Sequence, residues 1–406
     1  MSQLTNGETQ EVTEMPKRKL NNVSQRKDGL WEARHTFGYK PNGKPLRKSF
    51  YGKTANEALK KLDEYSRQVE NGLNADAKNL SFEQWLNIWL KEYKYQNLRP
   101  HTYDTYENFI QRRIVPILGK FKLLKIRPDH LQTFINDLRK ENGEPLSIST
   151  TKQIKIIISS ALQQAVKNGL ITRNPADALS LPKASAKKAV GAFTKNEQAN
   201  LLETVRDHRL YTLFVMALGT GMRIGEMLAL HWADIDFAEG EINVSLSVSR
   251  SKDRTDTGEV SGSSLKVDAT KTKAGKRSIP LTQEVRKALT RHRETQNKER
   301  FKAFTAWLDN DLVFSNQLGG HLEYRNVTRL YEKHRDSASL PKLNFHCLRH
   351  TFATNAISAG MDYYYLSRIM GHNSISITLD TYTEFMPDKS RSEMQKMEGV
   401  LAIRLA

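Results

Sequence analysis

The chain has 406 residues, and its 63 Lys and Arg against 45 Asp and Glu give a formal net charge of +18. No apolar run approaches the roughly 18 residues that a membrane-spanning helix needs, and residues 1–15 lack the apolar stretch of a secretory signal. The single cysteine, Cys347, excludes an intramolecular disulfide and a cysteine-based metal cluster. We therefore expect a cytoplasmic protein with a polyanionic partner, nucleic acid before an anionic membrane surface.

Half of the positive excess lies near the N-terminus. Residues 16–53 hold 11 Lys and Arg against two acids, Asp28 and Glu32, which is a net charge of +9. Apolar and polar residues alternate in 30–37 and again in 46–51, with a turn signal at 41–43, and Thr54 caps a helix over 55–72. The pattern predicts a three-stranded sheet with one helix. A solvated basic hairpin and a DNA-reading sheet both fit it.

The middle of the chain has a helical period. After a linker at 71–78, Ser81 begins a capping-box-like helix start. Trp85, Trp89 and Tyr93 lie four residues apart, which is typical of a core-facing helix stripe. Further helices are predicted over 102–114, 128–142 and 149–169, so we expect an all-helical domain at 79–182.

A small basic linker at 182–189 precedes the longest region, 190–406, where helices alternate with predicted strands at 242–248, 276–280 and 312–314. The polar segment 251–264 is predicted to be a long flexible excursion. The expected fold class is multidomain α+β. A three-stranded sheet with a helix comes first, then an all-α domain, then a mostly α domain with a small antiparallel sheet.

Several common catalytic motifs are missing. The sequence has no phosphate-binding Gly-Lys-Thr/Ser loop, no HExxH and no clustered acidic triad. His346 and His350 flank Arg349, whose positive charge would repel a metal ion, so we expect no metal. What remains is a cationic set with a nucleophile. Its members are Arg223, Lys271, His346, Arg349, His372 and Tyr382.

Metal-free attack on a phosphodiester needs these side-chain types. Two guanidiniums can hold the non-bridging oxygens, where negative charge develops. A tyrosine can be the covalent nucleophile, a lysine can protonate the leaving oxygen, and histidines can assist the nucleophile or bind the phosphate. Arg223 follows a glycine-rich turn at a helix start, and Glu226, one turn on, is placed to orient it.

The motifs occur in a recognisable order. The strings ALGTGMRIGEMLALHWADID, TKTKAGKRSIPLT, HCLRHTFATNAISAG and IMGHNSISITLDTY follow one another along the chain. In their residues and spacing they resemble tyrosine recombinases of the phage and conjugative-transposon integrase type. The resemblance covers residues 17–390.

The resemblance implies roles for individual residues. Arg223 and Arg349 would hold the scissile phosphate, with His346 and His372 beside it, and Tyr382 would form a 3′-phosphotyrosyl link. The lysine is assigned to Lys271, with Lys273 as the second candidate. His350 and Glu226 match supporting positions, and a buried histidine that positions Arg349 remains an alternative for His350.

The resemblance also implies an assembly. Residues 1–15 would be a disordered tail, 16–74 an arm-type DNA-binding domain, 79–182 a core-binding domain of the SAM-like type, and 190–406 the catalytic domain. Double-stranded DNA with core-type and arm-type sites would be bound by a homotetramer. An excisionase and a host DNA-bending protein are expected partners, with no membrane and no cofactor. The tail at 387–405 would pack either on a neighbouring protomer or, as a helix, on the protomer to which it belongs.

Two other functions fit parts of the sequence. A type IB topoisomerase shares the chemistry but relaxes supercoils, and the N-terminal sheet plus helical domain favours the integrase. A basic DNA-binding regulator without chemistry explains the charge but not the five elements in family order, which are Arg223, Lys271, His346 with Arg349, His372 and Tyr382.

Overall fold

The computed structural model describes residues 23–39, 45–70, 79–182, 191–255, 259–270, 273–383 and 394–395. The chain forms two compact units, Met1–Leu98 with Thr105–Lys183 and Arg99–Asp104 with Ala184–Ala406. No helix within the described ranges is both long and apolar enough to cross a membrane. The predicted N-terminal tail, nearly all of both linkers and nearly all of the segment 387–405 lie outside the described residues.

A small sheet opens the first unit, as the sequence predicts. Three antiparallel strands pair in chain order, and one helix packs on them. They are β1 (Val23–Gln25), β2 (Trp31–Tyr39), β3 (Pro45–Gly52) and α1 (Ala55–Glu70). Ala33, Ala58 and Leu62 form the buried core between sheet and helix, while Arg34 and Arg47 are exposed. The interior is therefore apolar and the basic residues remain on the surface.

The segment 82–167 is predominantly helical, as predicted. The helices are α2 (Phe82–Ile88), α3 (Pro100–Phe109), α4 (Val115–Leu118), α5 (Pro128–Asn136) and α6 (Ile148–Lys167). The capping box at Ser81 is confirmed, since its hydroxyl accepts a hydrogen bond from the backbone N–H of Gln84. Trp85 and Trp89 are buried. Helix α5 ends at Asn136, six residues before the predicted end. The chain then turns, and Gly143 in that turn has a positive φ of 82°.

The second unit is mostly helical. Its helices are α7 (Lys195–Thr204), α8 (Tyr211–Thr220), α9 (Ile224–Met227), α10 (Gln283–Ala303), α11 (Tyr324–Ser337), α12 (Cys347–Ser358), α13 (Tyr363–Met370) and α14 (Ile375–Tyr382). Its strands are β4 (Ile235–Asp236), β5 (Glu241–Val244), β6 (Leu246–Arg254), β7 (Val260–Ala269) and β8 (Arg277–Pro280). Strands β4, β5 and β8 form one antiparallel sheet and β6–β7 a two-stranded ribbon. The predicted fold class is confirmed.

The structure differs from three predictions about this unit. Most of the segment 251–264 is not a flexible excursion, because β6 and β7 pair from Leu246↔Ala269 to Arg254↔Val260. Backbone ladder bonds tolerate polar side chains that point to solvent, so polarity alone misled the prediction. The predicted strand at 312–314 is only a single bridge between His231 and Leu312. The predicted strand at 242–248 is interrupted at Ser245, between β5 and β6.

Candidate active site

Arg223 stands at the junction of two helices. Gly221 ends α8 with a positive φ of 62°, and Arg223 is the N-cap residue of α9. Its Nη1 donates to Glu226 Oε1 at 2.8 Å and its backbone N–H to Glu226 Oε2 at 3.0 Å. Nη2 donates to the Gly371 carbonyl at 3.3 Å. The side chain is still 41% exposed, so the oriented guanidinium can meet a ligand.

Arg349, on α12, is held by backbone carbonyls. Its Nη1 donates to the Gly221 carbonyl at 2.6 Å and its Nη2 to the Met370 carbonyl at 2.5 Å. Burial and the charge of Arg223 lower the pKa of Arg349 to about 9. The guanidinium is therefore still charged at neutral pH, and its orientation is fixed by the ends of α8 and α13.

The histidines of the set are neutral at pH 7. Burial, followed by the charges of nearby His350 and Arg349, lowers the pKa of His346 to about 4. Burial, Arg349 and Arg223 lower the pKa of His372 to about 4 as well. Nδ1 of His372 lies 2.8 Å from the Thr378 hydroxyl oxygen, which leaves Nε2 as the nitrogen able to meet an oxygen in the cleft.

Tyr382, at the end of α14, contacts His350. The phenol oxygen lies 2.7 Å from His350 Nδ1, and the tyrosine is only 1% exposed. Burial raises the pKa of Tyr382 to about 12, against a smaller lowering by Arg349. Burial and Arg349 also lower the pKa of His350. A neutral imidazole next to a protonated phenol is an arrangement in which the ring can accept the phenol proton.

These side chains meet in one cleft. Arg223, His346, Arg349, His350, His372 and Tyr382 all line it. The cleft therefore contains five of the six predicted site residues, all but Lys271, and also His350. Lys271 lies outside the described residues, and Lys273 is described only as the first backbone position of a 3-10 turn, Lys273–Gly275. That turn connects β7 to β8, and Thr270 and Gly275 on either side of the segment line the cleft.

Arg277 is a residue near the site that was not predicted from the sequence. This arginine begins β8, and its Nη2 lies 2.8 Å from Glu226 Oε2, with both side chains buried. The available signal was that Arg277 lies two residues before Ile279 and so on the same face of the strand, because a charge on the buried face of a strand requires a partner. Among the described residues there is no group of three or more His, Cys, Asp or Glu that could hold a metal ion.

Comparison with known proteins gives the family. The model of the phage integrase family matches residues 192–388, and that of the phage integrase N-terminal SAM-like domain matches 81–139. A tyrosine recombinase XerC-like protein of Caldanaerobacter subterraneus subsp. tengcongensis is 30% identical over 90% of this chain and 95% of its own. The chain belongs to the phage integrase family of tyrosine recombinases. It is therefore a tyrosine-type site-specific DNA recombinase, and the topoisomerase and regulator alternatives are not favoured.

Other family members are similar over most of their length. The ICEBs1 integrase of Bacillus subtilis is 25% identical over 93% of this chain and all of its own. The Tn1549 transposon integrase, solved in complex with transposon right end DNA, has a TM-score of 0.64 and 24% identity over 79% of this chain and all of that one. A lambda integrase tetramer bound to a Holliday junction has a TM-score of 0.53 and 18% identity over 92% of this chain and 96% of that one. The two structures support the fold.

Proposed function

We propose that this recombinase is the integrase of a mobile element, which it inserts into and excises from a chromosome through a 3′-phosphotyrosyl intermediate. The observation that carries the proposal is the contact between Tyr382 and His350 in a cleft that also holds Arg223 and Arg349. A nucleophile, a proton acceptor and two phosphate-binding cations occupy the same cleft of a single chain, as metal-free transesterification requires.

In the proposed cleavage step, the Tyr382 oxygen attacks the scissile phosphorus and the bond from phosphorus to the 5′ oxygen breaks. His350 accepts the phenol proton, and Lys271, or alternatively Lys273, gives a proton to the leaving 5′ oxygen. Arg223 and Arg349 hold the non-bridging oxygens, where negative charge increases in the transition state. His346 and His372 offer further hydrogen bonds to the phosphate.

In the proposed joining step, the 5′ hydroxyl of a partner strand attacks the phosphotyrosine and gives its proton to the lysine that lost one in cleavage. The bond from phosphorus to the Tyr382 oxygen breaks, and His350 returns the phenol proton to that oxygen. One phosphodiester is exchanged for another, so the bond energy is kept in the intermediate. The cycle therefore requires no nucleotide cofactor. Two rounds on two duplexes form and resolve a Holliday junction.

The proposed assembly has three domains and four copies. Residues 16–74 would bind arm-type sites, 79–182 would bind the core site, and 190–406 would carry out the chemistry. Linking two DNA-binding modules raises the local concentration of the second site and sets its geometry. Four strands must be cut, which favours a homotetramer, and the lambda integrase tetramer on a Holliday junction is a family precedent. An excisionase, a host DNA-bending protein and a cytoplasmic location complete the proposal.

Covalent capture tests this function. The purified protein is mixed with fragmented DNA of its source genome, stopped with detergent, and the protein-linked fragments are sequenced. We expect a few recurring sequences with the wild type and none with Tyr382→Phe. Two duplexes that carry the recovered core site and different labels should then exchange strands. Relaxation of supercoiled DNA without strand exchange would instead indicate the topoisomerase activity.

A further inference from the structure

Arg277 joins three segments that line the cleft. Its Nη2 and Nη1 donate to the two carboxylate oxygens of Glu226 at 2.8 and 3.3 Å. Its Nε donates to the Ile369 carbonyl at 2.5 Å, and Nη1 also donates to the Gly275 carbonyl at 3.1 Å. The side chain is 6% exposed. One buried guanidinium is therefore tied to α9, to the last turn of α13 and to the turn before β8.

Glu226 is shared between two arginines. The same carboxylate accepts from Arg223 Nη1 at 2.8 Å and from Arg277 Nη2 at 2.8 Å. Its side chain and that of Arg277 are 3% and 6% exposed, whereas that of Arg223 is 41% exposed. The buried ion pair is therefore Glu226 with Arg277, and Arg223 is the outer member that faces the cleft.

The charges of this triad do not cancel. Two guanidiniums and one carboxylate leave one positive charge, and the buried pair accounts for the carboxylate. Burial raises the pKa of Glu226, but the hydrogen bond and charge of Arg277 and then the charge of Arg223 hold it below its ordinary value. With Arg277 in place, the charge of Arg223 remains available for an anion. Without Arg277, Arg223 would be the cation that neutralises the buried Glu226 carboxylate, and its charge would no longer be available for an anion.

Arg277 also touches the turn that carries His372. Gly371 has a positive φ of 65°, and a Cβ built there would lie 3.0 Å from Arg277 Nη1. The carbonyl of the same glycine accepts from Arg223 Nη2. The guanidinium of Arg277 therefore packs against the backbone of Gly371, the residue between Met370 and His372.

We infer that Arg277 is a positioning residue for strand cleavage, which neutralises Glu226 so that the Arg223 guanidinium is free to bind the scissile phosphate. The inference rests on the proposed function and extends it to a residue that does not itself reach the DNA. Its effect on the rate passes through the charge of Arg223. This distinguishes it from a buried ion pair that only stabilises the fold.

The chain offers a matched control. Arg209 makes a bidentate pair with Glu299, at 2.8 and 2.6 Å, and donates to the Ser315 carbonyl at 2.8 Å. Its side chain is 17% exposed, and it is not among the residues that line the cleft. Arg209→Gln and Arg277→Gln thus each remove an arginine that pairs with a glutamate and donates to a backbone carbonyl, but only the second change adjoins the candidate active site.

The test measures covalent-complex formation in a single turnover on two nicked core-site duplexes. One duplex has a normal scissile phosphodiester, and the other has an uncharged methylphosphonate at the same position. The methylphosphonate carries less negative charge in the transition state, so the positive charge of Arg223 stabilises it less. We expect Arg277→Gln to slow cleavage of the phosphodiester by roughly 30-fold or more, and of the methylphosphonate by less than about 3-fold. Arg209→Gln should change both rates by less than about 3-fold.

A second variant, Arg277→Lys, tests the inference if Arg277→Gln folds poorly. Arg277→Lys keeps a positive charge without the planar fork, and it should show the same substrate dependence with a smaller loss. Equal slowing on both duplexes would overturn the inference, since lost structure affects both substrates alike. An unchanged rate would overturn it as well. Failure of the wild type to form any complex would overturn the proposed function itself, and this role with it.

Discussion

His350 and Tyr382 share a hydrogen bond of 2.7 Å between the imidazole Nδ1 and the phenol oxygen. The two residues come from different helices, α12 and α14, and are 32 positions apart. The bond places a neutral imidazole next to the proposed nucleophile, Tyr382, whose pKa is raised by burial to about 12. Such a phenol needs a proton acceptor at neutral pH, and His350 is in position to be that acceptor.

Replacing His350 should slow cleavage without weakening DNA binding. We expect His350→Gln to lower the single-turnover rate of covalent-complex formation by about 10²-fold or more, the usual loss when general-base catalysis is removed. His334→Gln, a change on α11 outside the residues that line the cleft, is the control and should leave the rate unchanged. A normal rate in His350→Gln would show that another group accepts the proton.

The pH profile should change shape in the same variant. His350 accepts a proton only when it is neutral, and burial and Arg349 hold its pKa below the ordinary 6.5. The wild-type rate should therefore be level above neutral pH and fall only as the pH drops below 6.5. In His350→Gln the rate should rise by roughly tenfold per pH unit, because hydroxide must then remove the Tyr382 proton. Stopped single-turnover reactions across the pH range would measure both profiles.

The two arginines should separate activity from stability. Arg223→Gln should lower the cleavage rate by about 10² to 10³-fold and leave the melting temperature nearly unchanged, because the side chain is partly exposed. Arg349→Gln removes a buried guanidinium that satisfies the Gly221 and Met370 carbonyls. It should lose activity to a similar extent and also about 1 to 3 kcal/mol of unfolding free energy for each carbonyl left without a partner. Equal stability of the two variants would contradict the buried geometry.

Two glycines provide a further matched pair. Gly360 and Gly371 follow α12 and α13 with φ of 84° and 65°. A Cβ at Gly360 meets nothing within 4 Å, whereas at Gly371 it would lie 2.9 Å from the Ala274 carbonyl oxygen. Each change to alanine should cost about 1 kcal/mol of stability through left-handed strain, and Gly371→Ala should cost more because its Cβ would also clash with a backbone oxygen. Only Gly371→Ala should also slow cleavage, because the turn that carries His372 must shift. Equal cleavage rates would argue against that link.

The sequence predicted the elements whose signals are local. The Ser81 capping box, the Arg223 helix start and the helix after His346 each depend on a few neighbouring residues, and the structure has all three. The end of α5 at Asn136 was missed, because Leu138 continues the apolar period of Leu131, Phe134 and Ile135 although the helix ends before it.

The contacts of the candidate site depend on tertiary structure instead. Motif order predicted that Arg223, Arg349 and Tyr382 belong together, but not that His350 contacts the phenol. For Glu226, the sequence predicted the contact with Arg223 but not the contact with Arg277. Its spacing to Arg223 is local, whereas Arg277 lies 51 positions away on another element. The pattern of one sequence can indicate that a buried charge needs a partner, but not which distant residue is that partner.

Mapping the DNA-linked peptide shows which tyrosine forms the covalent bond to DNA. A trapped covalent complex is digested with trypsin and nuclease, and the peptide that retains a nucleotide is sequenced by mass spectrometry. Tyr382 is the single tyrosine of the tryptic peptide 369–389, while Tyr363, Tyr364 and Tyr365 fall in the peptide 350–368. The account predicts a nucleotide on Tyr382 in the peptide 369–389. A nucleotide on the peptide 350–368, or an equally abundant adduct with Tyr382→Phe, would contradict it.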